Sequence, residues 1–291
     1  MEYAYYPGCS LEASAKAYEE STRFVFDALG QKLVEIEDWN CCGATYYMAT
    51  KETISLVISA RNLALAEKYG NDIVAPCSSC YTILYKTNKI LNDNFIMKEK
   101  VNQALKKDNL EYNLSLNVRH PLDVLVNDVG IDTIASRANT SLKGIKMAQY
   151  YGCQIVRPER GIDDKEDPQL MDRLFKALGA ENVYFPAKVR CCGGMLMTTY
   201  PDVGLKLTKE ILEHAQDNGA EVVVTTCPLC QMNLEAYQDK INKKFKTDLH
   251  IPVIYFTQAL GLALGGSPKE LGLNRQLIPF KPEEKTLEGS R

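Results

Sequence analysis

Along this chain, short apolar runs alternate with longer stretches in which apolar side chains recur at helical spacing. Residues 3–6 and 145–151 are runs of strand length, whereas Val203, Leu207 and Ile211 lie four residues apart, as on one face of an amphipathic helix. Strands that alternate with helices are typical of parallel sheets with helices packed on them. The pattern therefore predicts an α/β fold.

The same order of elements occurs twice along the chain. Helices are predicted over residues 14–29 and 52–69 in the first copy and over 168–178 in the second. A closing strand and helix are predicted over 117–127 in the first copy and over 251–264 in the second. The helix at 168–178 has Asp167 at its N-cap position, Pro168 at its first helical position and Gly179 just past its end. These three residues predict where that helix begins and ends.

Ten cysteines fall in two sets of five, and each set has the order single cysteine, adjacent pair and C-x-x-C. In both sets 34 residues separate the adjacent pair from the C-x-x-C, and over this part of the repeat the second copy lies a constant 150 positions later. The first set is Cys9, Cys41, Cys42, Cys77 and Cys80, and the second set is Cys153, Cys191, Cys192, Cys227 and Cys230. Flanking residues also repeat: YYPGC matches QYYGC, and CCG occurs twice.

This repeat indicates an internal duplication with its boundary in the polar stretch 136–143. We expect two Rossmann-like domains with parallel sheets, over residues 1–140 and 141–291, and cysteines where strands end and helices begin. Ligands in open parallel sheets bind at the carboxyl ends of the strands, and helix N-termini favour thiolates. The five thiolates of each copy are therefore expected to converge at one sheet edge.

Composition narrows the class of protein. Hydrophobic residues make up 45% of the 291 residues and charged residues 24%, as in a globular protein. The formal net charge of -3 is too small to argue for binding to nucleic acid or to an anionic membrane, and we expect neither nucleic-acid binding nor direct insertion in a membrane. No basic, apolar leader opens the sequence, and its longest apolar stretch, 253–264, is shorter than the roughly 20 residues that span a bilayer. We therefore expect a cytoplasmic location, where thiols stay reduced and serve as ligands rather than as disulfides.

Four interpretations of the cysteines compete. Disulfides are disfavoured by the expected compartment, and structural zinc takes four ligands where each copy offers five. Thioredoxin-like chemistry at each C-x-x-C leaves six cysteines without a role. An iron–sulfur cluster in each copy uses soft thiolates, and Gly43, Gly193 and Gly194 would let the backbone approach an inorganic core, although a tight turn explains these glycines equally well.

The doubled pattern of single cysteine, Cys-Cys-Gly and C-x-x-C resembles the cysteine-rich CCG domain. The opening YAYYPGCS and the later YFTQALGLALG make the chain similar to the B-type subunit of heterodisulfide reductase from methanogenic archaea, over nearly its whole length. Related CCG proteins also occur in enzymes that oxidise hydroxy acids, glycerol phosphate or succinate. The alternative is therefore an iron–sulfur electron-transfer subunit of a hydroxy-acid or succinate oxidoreductase.

The resemblance implies two non-cubane [4Fe-4S] clusters, each held by one set of five cysteines. It implies reduction of the mixed disulfide of coenzyme M and coenzyme B to two thiols in methanogenesis, with one electron from each cluster. The implied partners are a C-type iron–sulfur subunit, an A-type flavin-containing, electron-bifurcating subunit and, through the latter, a hydrogenase or formate dehydrogenase.

Four further residues are candidates for binding the anionic groups of such a substrate. Lys188 and Arg190 precede the second adjacent pair, and Lys206 lies on the next predicted helix, where solvated surface charge is the alternative interpretation. His120 falls at a predicted strand-to-helix junction, where it either donates a proton to a thiolate or serves as a hydrogen-bonded structural residue.

Overall fold

The computed structural model describes residues 1–44, 51–157 and 161–281 and contains two four-stranded parallel sheets. The strand orders, β2-β1-β3-β4 and β6-β5-β7-β8, are the same order repeated. The strands are β1 (Glu2–Tyr5), β2 (Lys32–Glu35), β3 (Ile73–Val74), β4 (Val118–Arg119), β5 (Lys146–Tyr150), β6 (Glu181–Asn182), β7 (Val222–Thr225) and β8 (Val253–Tyr255). The predicted α/β fold with duplicated parallel sheets is confirmed.

Helices cover both sheets and connect their strands. Those of the first half are α1 (Cys9–Glu12), α2 (Lys16–Ala28), α3 (Glu52–Glu67), α4 (Ser78–Asp93), α5 (Phe95–Leu105), α6 (Pro121–Asp123), a π-helical stretch (Val124–Gly130) and α7 (Ile131–Ser136). Those of the second half are α8 (Leu170–Ala177), α9 (Leu196–Thr199), α10 (Pro201–Asp217), α11 (Pro228–Ala236), α12 (Gln238–Phe245) and α13 (Phe256–Ala263). Single 3₁₀ turns lie at Lys106–Asp108 and Leu273–Arg275.

The helix predicted at 168–178 forms, but its start differs from the prediction. It begins at Leu170, and the Asp163 carboxylate accepts hydrogen bonds from the backbone N–H groups of Gln169 and Leu170, at 2.5 and 2.6 Å. The prediction of Asp167 as the N-cap is therefore wrong, because a residue farther upstream folds back onto the helix start. Gly179 does lie just past the helix end, with a φ of +92° that favours glycine.

The two halves meet along a seam of packed helices that includes an aromatic stack and a pair of hydroxyl groups. Helix α2 of the first half packs on α13 of the second, and α8 of the second packs on α6 and α7 of the first. Across this seam, the buried Tyr18 ring stacks on Tyr255 with centroids 4.2 Å apart and planes at 2°. Ser21 and Thr257 place their hydroxyl oxygens 2.7 Å apart across the same seam.

Among the helices of residues 1–44, 51–157 and 161–281, none combines the length and the apolar character that crossing a membrane requires.

Candidate functional site

In each sheet, the single cysteine and the C-x-x-C follow the carboxyl ends of the two central strands. Cys9 opens α1 just after β1, and Cys77 is the N-cap residue of α4 just after β3. Cys153 follows β5, and Cys227 is the N-cap residue of α11 after β7. Adjacent parallel strands end at the same sheet edge, so each domain gathers its thiols where open α/β sheets bind ligands.

Within each domain the thiols form close pairs. The Sγ atoms of Cys42 and Cys80 lie 3.2 Å apart, and those of Cys9 and Cys41 lie 4.0 Å apart. In the second domain, the Sγ atoms of Cys192 and Cys230 lie 3.4 Å apart, and Cys153 and Cys191 form a hydrogen-bonded pair. The two copies therefore reproduce the same pairing.

The two sets of thiols also touch each other across the seam. Cys77 of the first set and Cys227 of the second are hydrogen-bonded through their side chains, and each also contacts the other cysteine of its own C-x-x-C. Both residues are buried. The two sites are therefore adjacent and are in contact through Cys77 and Cys227.

Solvent exposure divides each set into inner and outer thiols. Cys9, Cys41 and Cys191 are exposed and Cys153 is partly exposed, whereas the remaining six cysteines are buried. The outer thiols come from the single cysteine and the first member of the adjacent pair in both domains. A molecule that approaches from solvent would meet these outer thiols first.

A glycine before the first cysteine makes room for a sulfur atom in each domain. A Cβ on Gly8 would lie 3.1 Å from Cys80 Sγ, and a Cβ on Gly152 would lie 3.3 Å from Cys230 Sγ. Both glycines also have positive φ angles, +74° and +70°. Glycine is therefore required twice over, by backbone conformation and by close approach.

Two tyrosines that sequence reasoning left unassigned anchor the backbone before each adjacent pair. Tyr6 donates from its hydroxyl to the carbonyl oxygen of Asn40 at 2.8 Å, and Tyr150 donates to that of Arg190 at 2.6 Å. Tyr6 and Tyr150 occupy matching positions in the repeat YYPGC and QYYGC. The repeat itself was the signal that would have identified them.

Hydrogen bonding within each set favours the thiolate form of one outer cysteine. The thiols of Cys42 and Cys9 and the backbone N–H of Gly43 donate to Cys41 and lower its pKa to about 2. In the second domain, donation from Cys153 and from the N–H of Gly193 lowers the pKa of Cys191 to about 6. Each site therefore presents a solvent-facing thiolate, which is the form that binds metal.

Lys188 is not available to a substrate. Its side chain is buried, and its Nζ atom pairs with Asp167 at 3.0 Å and Asp172 at 3.2 Å and donates to the carbonyl oxygen of Pro168 at 3.0 Å. The ammonium group also lies 5.8 Å from the centre of the Tyr151 ring. The prediction of a substrate-binding role is therefore corrected to a structural one.

His120 is likewise a structural residue. It lies at the predicted junction between β4 and α6, and its ring is fully buried. Nδ1 accepts from the backbone N–H of Leu122 at 3.1 Å, so Nε2 carries the proton and donates to the carbonyl oxygen of Pro76 at 2.7 Å. Burial lowers the pKa of His120 to about 4. Burial therefore favours the neutral imidazole, and both of its ring nitrogens are engaged by backbone groups.

The other two cationic candidates lie at the surface. Arg190 is partly paired with Glu210, at 3.4 Å, and Lys206 is exposed on α10. Arg157, which sequence reasoning missed, lies close enough to Cys153 and Cys191 for its charge to favour both thiolates. Its position four residues after Cys153 was the available signal.

The donor set fits an iron–sulfur cluster better than a single metal ion. Within the described ranges all ten cysteines are free thiols, and no group of three or more His, Cys, Asp or Glu side chains there meets the geometry for holding a metal ion. The thiols form linked pairs, and glycines at both sites let a cysteine sulfur approach the backbone closely. Such a frame suits several metals bridged by sulfur rather than one tetrahedral zinc.

Two duplicated domains with parallel sheets, each with five cysteines, define a protein with two cysteine-rich sites. Residues 3–85 and 147–235 match the family described as the CCG cysteine-rich domain. The chain is 32% identical, over 93% of its length and 92% of the relative, to a Methanosarcina acetivorans protein named as the B-type subunit of a ferredoxin/F(420)H(2)-dependent CoB-CoM heterodisulfide reductase. It belongs to the CCG cysteine-rich domain family, in the group of B-type heterodisulfide reductase subunits.

Other relatives carry different names. A Wolinella succinogenes protein, named 8-methylmenaquinol:fumarate reductase membrane anchor subunit, is 37% identical over 95% of this chain and 97% of that one. A solved structure of a hypothetical protein from Helicobacter pylori superposes with a TM-score of 0.80 at 17% identity. It covers 96% of this chain, which spans 52% of that longer one, and it supports the fold alone. Together the relatives imply an oxidoreductase component of a larger complex and suggest iron–sulfur clusters.

Proposed function

We propose that the chain is the catalytic component of an oxidoreductase, with two [4Fe-4S] clusters, one in each domain. Cys9, Cys41, Cys42, Cys77 and Cys80 would hold one cluster, and Cys153, Cys191, Cys192, Cys227 and Cys230 would hold the other. Five thiols are one more than a cubane cluster takes, so we propose a non-cubane form. The observation that carries the proposal is the contact between Cys77 and Cys227, which makes the two sets immediate neighbours.

The proposed reaction is reduction of the mixed disulfide of coenzyme M and coenzyme B to two thiols. It consumes two electrons and two protons, and the sulfur–sulfur bond breaks. Clusters, when bound, would supply electrons one at a time, so two neighbouring sites match the two-electron requirement. We place the substrate at the exposed outer thiols, where solvent can supply the two protons. His120 is not the proposed proton donor, because both of its ring nitrogens are already hydrogen-bonded to the backbone.

The chain's own residues would orient the anionic ends of the substrate. Coenzyme M and coenzyme B carry a sulfonate and a phosphate, and guanidinium groups bind such groups through paired hydrogen bonds. Arg157 lies beside the second set, and Arg190 precedes Cys191 with its guanidinium largely in solvent. Lys206 on α10 is a further candidate. We propose that these three cations bind one end of the substrate.

Electrons would arrive from partner proteins of the same complex. We propose that the immediate donor is the C-type iron–sulfur subunit. The A-type flavin-containing subunit would pass electrons to this C-type subunit and would receive them from a hydrogenase or formate dehydrogenase. The support for such a complex is that similar chains are named as subunits of heterodisulfide reductase.

Metal analysis and thiol release together test this function. Protein purified without oxygen should contain about eight irons per chain, and with a reduced viologen dye it should release two thiols for each heterodisulfide consumed. For variants of the cations proposed to bind the substrate, Arg23→Gln is a matched control, because Arg23 pairs with Glu19 and Glu35 away from the cysteines. About two zincs per chain would end the cluster proposal, and iron without thiol release would end the disulfide proposal alone.

A second candidate is supported by the 37% identity to the fumarate reductase protein. In that case the two clusters would carry electrons between a quinol and a fumarate-reducing partner, and no disulfide would be cleaved. Reduced protein would then leave the heterodisulfide intact but lose its electrons when mixed with a fumarate-reducing flavoprotein and fumarate. The two assays on one anaerobic preparation separate the candidates.

A further inference from the structure

The internal repeat allows the surroundings of the two thiol sets to be compared position by position. The ten cysteines match throughout, but some of their buried neighbours differ. Counting 150 positions from the first copy, Asn233 of the second domain corresponds to Ile83 of the first. Both side chains are buried on the helix that follows the C-x-x-C. An amide in one domain is thus replaced by a hydrocarbon in the other.

Asn233 is in direct contact with the second adjacent pair. Its Nδ2 donates to the carbonyl oxygens of Cys192 at 3.1 Å and Gly194 at 3.0 Å, and it lies 3.8 Å from Cys192 Sγ. Its Oδ1 is buried without a hydrogen-bond partner in the part of the chain that the structure describes. Ile83 has no polar atom that could make any of these contacts.

A positive charge distinguishes the second set as well. The Arg157 guanidinium lies close enough to Cys153 and Cys191 to interact electrostatically with both. Counted from the first cysteine of each set, the corresponding residue of the first domain is Ala13. The charge difference comes from a different element of the fold than the amide, so the two observations are independent.

We propose that the two sites are electronically unequal and that the second set, beside Asn233 and Arg157, forms the site with the higher reduction potential. This inference rests on the proposed function, because it requires a cluster in each domain. A reduced cluster carries one more negative charge than its oxidised form. An amide donor near a ligating sulfur and a nearby guanidinium both stabilise that extra charge, so both raise the potential. Asn233 and Arg157 are therefore positioning residues that set where the first electron resides.

Redox titration of the iron-loaded protein, followed by electron paramagnetic resonance, tests the proposal without an activity assay. Wild type should show two separate midpoint potentials. Asn233→Leu should shift the higher potential to more negative values and leave the lower one unchanged, and Ile83→Asn should shift the lower one to more positive values. Arg157→Gln should act like Asn233→Leu at low ionic strength and lose most of its effect in high salt, because Arg157 is exposed.

Asn102→Leu provides the matched control. Asn102 is also a buried asparagine that holds backbone, accepting from Tyr112 N at 3.1 Å and donating to its carbonyl oxygen at 3.2 Å, but it contacts no cysteine. Its loss should leave both potentials unchanged. One shared midpoint potential in wild type, or a shift of the lower potential in Asn233→Leu, would overturn the inference. A preparation with no iron would instead contradict the proposed function, so the two failures are distinguishable.

Discussion

The replacement of Tyr18 by Phe tests how the seam between the two thiol sets is held. Tyr18 is fully buried, and its hydroxyl lies 3.1 Å from the carbonyl oxygen of Pro76 and 3.2 Å from that of Thr226. These carbonyls belong to the residues just before Cys77 and Cys227. Phenylalanine keeps the ring in its stack on Tyr255 and removes only the hydroxyl.

The structure limits how much free energy the hydroxyl contributes. A buried carbonyl left without any donor costs about 1–3 kcal/mol. Both carbonyls keep a second donor, however, because His120 Nε2 lies 2.7 Å from Pro76 O and Ser78 Oγ lies 3.0 Å from Thr226 O. Only the net value of one hydrogen bond is therefore lost. We expect the free energy of unfolding to fall by about 1 kcal/mol.

Urea denaturation with reductant present, followed by circular dichroism, measures this change. The midpoint should move to lower urea while the slope stays the same, since the surface exposed on unfolding is unchanged. Tyr255→Phe is the control, because its hydroxyl lies 3.4 Å from Gln231 Oε1, too far for a strong hydrogen bond. The control should lose less than about 0.5 kcal/mol. Equal losses in both variants, or no loss in Tyr18→Phe, would refute the assignment of the seam contact to this hydroxyl.

Three further changes address the site and its support. Lys188→Gln should lower the free energy of unfolding by about 1–3 kcal/mol in urea titrations, because Asp172 loses its cationic partner but keeps the Tyr151 hydroxyl as a donor. Gly152→Ala should lower the iron content of the purified protein by about half, because the new Cβ would crowd Cys230 Sγ at 3.3 Å in one domain only. The folded state lowers the pKa of His120 from its ordinary 6.5 to about 4, so its stabilising contribution is complete above pH 6.5 and is lost as pH falls towards 4. Thermal unfolding should therefore show wild type losing about 2 kcal/mol more than His120→Gln between pH 8 and pH 5.

Each of these predictions has a contrary outcome. Full stability of Lys188→Gln would mean that the lysine is not committed to its ion pairs. Unchanged iron content in Gly152→Ala would show that the space at this glycine is not needed for the cofactor. Parallel stability curves for wild type and His120→Gln across the pH range would show that the histidine is not held neutral.

The strongest features of the sequence were local or periodic, and they predicted the fold well. Parallel strands, the duplicated order of elements and the gathering of cysteines at strand ends all follow from apolar periodicity and from the 150-residue repeat. Strands β2 and β6 were not anticipated. They are short edge strands: β2 has only Leu33 and Val34 between its charged ends, and β6, Glu181–Asn182, has no apolar residue.

Contacts between segments that are distant along the chain could not be predicted from the sequence. Lys188 and Asp172 lie 16 positions apart, and nothing in their local pattern shows that the lysine turns inward. The contact of Cys77 with Cys227 depends on which faces of the two domains pack together, and a repeat carries no information on that packing. Arg157 was missed because its influence on the second set comes from chain direction after Cys153 rather than from a motif.

The two helix contacts across the seam are copies of each other. Helix α2 packs on α13, and α8, the counterpart of α2, packs on α6 and α7, the counterparts of α13. This is the geometry of an isologous dimer, and it is what a single-domain ancestor would form with a second copy of itself. In such a dimer any substitution alters both sites at once. In a single chain that constraint is absent, so position 233 can be asparagine while position 83 is isoleucine.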